Sequence, residues 1–145
     1  EIDLAKKIYS RLSREKDAYI RNLALEGLAQ IFDHQGKPKE AYRVLLKGDI
    51  TRMHQGKHLF WKLAYSEQEF EKMVVYATEI YRMHPTFETA LMNAKACAHM
   101  KDIPFAFGWL NTARQFDEAN NIHWEDLMSD PIFSSSGICA SKILI

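Results

Sequence analysis

Cysteine is nearly missing from this chain. Cys97 and Cys139 stand far apart and lack the spacing of metal ligands, so there is no disulfide framework to read; a reducing, cytoplasmic setting is the expectation. Charge of one sign is missing too. Nineteen Lys and Arg face nineteen Asp and Glu, which removes the electrostatic excess that drives nonspecific binding to nucleic acid or anionic membrane. No apolar run reaches the roughly 18 residues that a membrane-spanning helix needs. This segment is therefore expected to take no nucleic-acid partner and to make no membrane contact. Glycine and proline number six and four, too few to punctuate a chain of short strands.

What is present is helical periodicity. Apolar residues recur at intervals of three and four, and the spacing predicts helices over Ile2 to Leu12, Tyr19 to His34, Pro38 to Leu46, Gln55 to Tyr65, Glu67 to Met83, Phe87 to Met100, Pro104 to Phe116 and His123 to Met128. Ser66 with Glu69 has the pattern of a capping box, and Asp102 can cap the helix that Pro104 enters. Gly36 can take the left-handed conformation that ends a helix. A chain of 145 residues can bury a core without staples, and one packed unit is expected.

The short connections force antiparallel neighbours, and the chain has an internal period. Ala29 to Ala41, Trp61 to Met73 and Ala94 to Ala106 have the same spacing, and Ala41, Met73 and Ala106 lie 32 and 33 residues apart. Two helices approach closely only where a side chain shrinks to Ala or Gly, so that larger neighbours interdigitate around it. Leu25, Leu28-Ala29, Phe32, Gly36, Ala41, Leu45 and Gly48 form one such set, and Ala90, Ala94, Ala106, Leu110 and Ala113 another. Between them Trp61 stands where a small residue is expected and Ala64 where an aromatic is. We read this as a size exchange that holds core volume constant; Ile80 and Pro85 close that unit. Asn93 falls at a position that should be apolar.

On these residues the chain resembles the tetratricopeptide repeat family, whose unit is roughly 34 residues. The resemblance implies an all-α fold, a right-handed superhelix (α-solenoid) of antiparallel helix pairs. It divides the chain into the second helix of a truncated repeat over residues 1–16, three repeats over 17–119, a capping helix over 120–133 and a loosely attached tail over 134–145. The opening helix has the Ala5, Tyr9 and Leu12 spacing of a second helix. Its apolar face is expected to be uncovered and open to a contact, and the chain to be a piece of something longer.

Candidate chemistry is sparse. His54 and His58 are four apart, a common half of a zinc site, but Gly56 lies between them and no HExxH pattern or neighbouring Cys completes the set. No nucleophile with a base can be named, no Gly loop suits a phosphate, and Cys97 reads as a packed small apolar residue. We therefore expect no catalytic residue, no metal and no cofactor. Trp61 and Trp109 sit on the periodic faces and read as core, and Trp124 as an anchor for the capping helix.

What remains is the concave groove that the first helices line in the resembled family. On this chain that lining would be Glu26, Gln30, Asp33 and His34, then His58, Lys62 and Tyr65, then Leu91, Lys95 and His99. The function this implies is a non-catalytic protein–protein interaction scaffold that takes a peptide or partner helix in the groove, with Lys62 and Lys95 available to a carboxylate. The alternatives are an accessory or regulatory domain of a larger enzyme or membrane protein, and a helical-repeat RNA binder. The balanced charge disfavours the latter.

Overall fold

The computed structural model of the chain describes residues 1–116 and 123–135. Among them there are helices and no strand: α1 (Ile2–Leu12), α2 (Ala18–His34), α3 (Pro38–Leu45), α4 (Gln55–Ser66), α5 (Phe70–Val74), α6 (Ala77–Met83), α7 (Phe87–His99), α8 (Ile103–Ala113), α9 (Trp124–Met128) and α10 (Pro131–Ser134). Tight 3₁₀ turns occupy Ile50–Arg52 and Arg114–Phe116. The chain is all-α. Its contacts divide it into two compact units, Glu1–Gln68 and Glu69–Ile145, rather than the single unit its length suggests. The tail expected over 134–145 lies outside the described residues except for Ser134 and Ser135, as do the ends of the third repeat and the start of the capping segment.

In the first unit α2 packs on both α1 and α3, and α4 packs on α2 and α3. Asp17 starts α2 by accepting hydrogen bonds from the N–H groups of Tyr19 and Ile20, at 2.9 and 3.2 Å. Ala29 and Ala41, the two small residues of the opening hairpin, have no exposed surface, and Leu45 beside them has none either. Burying a side chain the size of Leu45 stabilises by about 1.5–3 kcal/mol. Gly48 leaves the space that Asn22 needs: a Cβ there would stand 3.0 Å from Asn22 Oδ1, the atom that accepts the Asp49 N–H at 3.0 Å.

α1 differs from its expectation. The Ala5, Tyr9 and Leu12 face is half-buried rather than uncovered, because Gly27 of α2 leaves room for the Tyr9 ring; a Cβ on Gly27 would stand 2.6 Å from Tyr9 Cζ. Lys6 Nζ lies 4.8 Å from the centre of the Phe32 ring, a cation–π contact. The apolar residues left open on α1 are instead Ile2, Leu4 and Ile8.

The second unit is built on α7, which packs on α5, α6, α8 and α10. Ala90, Ala94, Ala106, Leu110, Ala113 and Phe133 are fully buried in its core. Thr86 caps α7 through the Thr89 N–H at 3.2 Å. Asn93 is fully buried and donates from Nδ2 to the Ala77 carbonyl at 3.2 Å, so the polar residue at an apolar position fastens α7 to the first turn of α6. That buried hydrogen bond offsets part of the cost of placing a polar side chain in the core.

Several boundaries depart from the periodicity. The helix expected over Glu67 to Met83 is broken into α5 and α6 at Val75 and Tyr76, where Val74, Val75 and Tyr76 together lose side-chain freedom in a helix. The Ser66 and Glu69 capping box does not form. Ser66 is the last residue of α4 and bonds back to the Lys62 carbonyl, while Glu69 pairs with Lys72. Asp102 stands at the start of α8 without a side-chain cap bond. The helix expected from Pro104 to Phe116 ends at Ala113 and tightens into the 3₁₀ turn.

Three described residues have left-handed backbone: Gly36, Gln68 and Lys101, 32 and 33 residues apart. Gly36 and Lys101 close full Schellman turns, with Lys37 N–H on the Phe32 carbonyl and Asp102 N–H on the Cys97 carbonyl, both at 2.9 Å. The left-handed region costs an L-residue roughly 1–2 kcal/mol, and nothing lies within 4 Å of a Cβ built on Gly36, so the cost of a side chain there is purely conformational. In chemical denaturation Gly36→Ala lowers the free energy of unfolding by about 1 kcal/mol, and Lys101→Gly raises it by about 0.5–1 kcal/mol.

Candidate binding face

Glu26, Gln30 and Asp33 recur at four and three, which sets them in one stripe along α2. The fold brings that stripe against α4 and the turn before it. Glu26 Oε1 accepts the His54 N–H at 3.0 Å, Gln30 Nε2 donates to Gln55 Oε1 at 2.9 Å, and Asp33 Oδ2 lies 3.6 Å from Lys62 Nζ. Gly56 permits this approach, since a Cβ there would meet Glu26 Cγ at 2.8 Å. The polar stripe is thus a seam between α2 and α4, with Lys62 still about half exposed at 49%. His34 is exposed at the end of α2. His58 stacks on Trp61, ring centres 5.7 Å apart, and Tyr65 is half-buried one turn beyond Lys62.

In the second unit Leu91, Lys95 and His99 form a stripe on α7 at intervals of four. Leu91 packs against the core. Lys95 Nζ lies 3.5 Å from Asp130 Oδ2, and Asp130 in turn caps α10 through the Ile132 N–H at 3.0 Å. His99 lies flat on Phe70, ring centres 4.3 Å apart. Seven of the ten predicted positions therefore belong to the first unit and three to the second, and each lysine of the lining has a carboxylate partner of its own.

The partners Gln55, His54 and Asp130 carry no periodic signal that links them to this face. Asp130 is legible only as a helix start, from the Asp-Pro pair at positions 130 and 131. The buried Asn22, which holds the backbone at Asp49, was equally silent.

Among the described residues no three of His, Cys, Asp and Glu gather closely enough to hold a metal ion, and no helix is long and apolar enough to cross a membrane. Burial, with the charge of Asp102 second, pushes the Cys97 thiol up to about 11, which keeps it protonated at neutral pH and removes its nucleophilic form. Set against family models, curated proteins and solved structures, the chain matches none.

Two outcomes follow from this geometry. At pH 8, iodoacetamide labels Cys97 in the native chain at least about a hundredfold more slowly than in the denatured chain, read by peptide mapping; the depleted thiolate sets that margin. Lys62→Ala and Lys95→Ala each change the unfolding free energy by less than about 1 kcal/mol in urea melts, because both ion pairs are solvent-accessible.

Proposed function

We propose that this chain is a tetratricopeptide-like scaffold that binds a peptide or partner helix and does no chemistry of its own. The observation that carries the reading is a coincidence of two registers. The left-handed residues Gly36, Gln68 and Lys101 each stand five residues before Ala41, Met73 and Ala106, and those three are fully buried. One register belongs to the backbone and the other to side-chain size, and a period of 32 to 33 in both is what a repeated helix–turn–helix unit requires. The burial of Ala90, Ala94, Leu110 and Ala113 supports the same reading.

In such an array the first helices line a concave groove, and the matching surfaces here are the stripes on α2 and α4 in the first unit and the stripe on α7 in the second, each taken within its own unit. Their residues are already held by internal bonds, so a ligand meets side chains whose ordering cost was met on folding. Within the first unit Lys62 would divide its charge between Asp33 and an incoming carboxylate, and within the second Lys95 would do the same with Asp130.

The test is affinity capture with the purified chain, comparing wild type with the double variant Lys62→Glu and Lys95→Glu and with Lys39→Glu, an exposed change on α3. Proteins recovered by wild type and by Lys39→Glu are expected to be lost, about tenfold or more, from the double variant while its helical circular dichroism is retained. Unchanged recovery by the double variant refutes the groove as the binding face.

A further inference from the structure

The second unit also holds a pocket of about 170 Å³, lined mainly by helices that the proposed groove does not use. α6 and the end of α5 contribute Val74, Ala77 and Thr78, and α8 contributes Phe105 and Trp109. Cys97 of α7, with Met100 and Asp102 from the turn between α7 and α8, completes the lining. An apolar cavity of about 150 Å³ takes up benzene, so this one has room for a single Leu- to Phe-sized group.

Three observations say what fits it. The walls are apolar and aromatic, with one carboxylate, Asp102, whose side chain makes no cap bond to α8. The adjacent Lys101 lies along a different hollow, beside His99 and Ile132. The apolar surface also runs past the pocket. Phe105 is 66% exposed and Val75, next to the wall residue Val74, is 72% exposed. A free small molecule seated in the pocket leaves that rim wet, whereas a chain that continues beyond the pocket covers it.

We propose that this pocket is a second docking site, independent of the groove, for a polypeptide segment that inserts one large apolar side chain between α6 and α8 and sets a Lys or Arg beside Asp102. The apolar anchor supplies most of the affinity. The carboxylate fixes direction and charge preference, and an arginine there also gains the ring faces of Phe105 and Trp109.

The test is a nuclear magnetic resonance titration of the full chain with blocked hexapeptides carrying a central Leu-Arg, Leu-Glu or Ala-Arg, and with phenethylamine. The readouts are the Trp109 indole proton, assigned with Trp109→Phe, and the Met100 methyl. Leu-Arg is expected to move both signals saturably at millimolar concentration and Ala-Arg to leave them in place. Leu-Glu binds about fivefold more weakly, the ratio that an accessible ion pair of about 1 kcal/mol supports. Thr78→Trp, which fills the pocket from an exposed position, abolishes the shifts. Asp102→Asn preserves binding but levels Leu-Arg with Leu-Glu, and Lys62→Glu with Lys95→Glu changes nothing. The proposal is overturned if neither signal moves, if Leu-Glu matches Leu-Arg on the wild-type chain, or if phenethylamine binds as tightly as the Leu-Arg peptide.

Discussion

Two helices of this chain can lie close only where the side chains between them have been reduced to a methyl group, and the rest of the structure depends on that contact. Ala29 and Ala41 in the first unit, and Ala94 and Ala106 in the second, are entirely withdrawn from solvent. Larger residues then close around these points of approach: Leu45 in one unit, Leu110 and Phe133 in the other. A larger side chain at any of the four alanines would force the helices apart and open space around those neighbours, the combination that packed interiors tolerate least. Trp61 and Ala64 of α4 are likewise buried, at 2% and 0%.

Polar groups supply the orientation that small apolar contacts leave open. Two buried asparagines bond backbone from the interior, Asn22 at the amide of Asp49 and Asn93 at the carbonyl of Ala77. Each ties a long helix to the start of a neighbouring segment, and each would be costly to leave without its partner. The seam between α2 and α4 works at the surface by the same logic, with Glu26, Gln30 and Asp33 each meeting a different residue of α4 or the turn before it. Such a seam adds little to stability, since its ion pair is partly open to solvent.

Much of this was legible in the residues. The helices α1, α2, α4 and α7 fall where the three-and-four spacing puts them, within a residue at either end, because burial of one face is what creates the spacing. Gly36 was legible as a left-handed terminus for a similarly local reason. Gln68 and Lys101 were not, as neither is a residue that favours that backbone; the hydrogen bonds of the turn impose it. The split between α5 and α6 lay hidden in a pattern that stays apolar through Val74, Val75 and Tyr76.

Glu26, Gln30 and Asp33 share a stripe on α2, and Leu91, Lys95 and His99 share one on α7, since a stripe is a property of one helix. What meets each stripe was beyond reach of the sequence, because contacts such as Gln30 with Gln55 or Lys95 with Asp130 join residues with no periodic relation. The amino-acid sequence by itself determined the helices, their tight reversals and the alanines that must be buried, all of which follow from local sterics and a repeating pattern of side-chain size. Only the tertiary structure decided that the two lysines are already paired, that Asn93 is a latch, and that Asp102 borders an apolar pocket, because each depends on which distant segments folding brings within bonding distance.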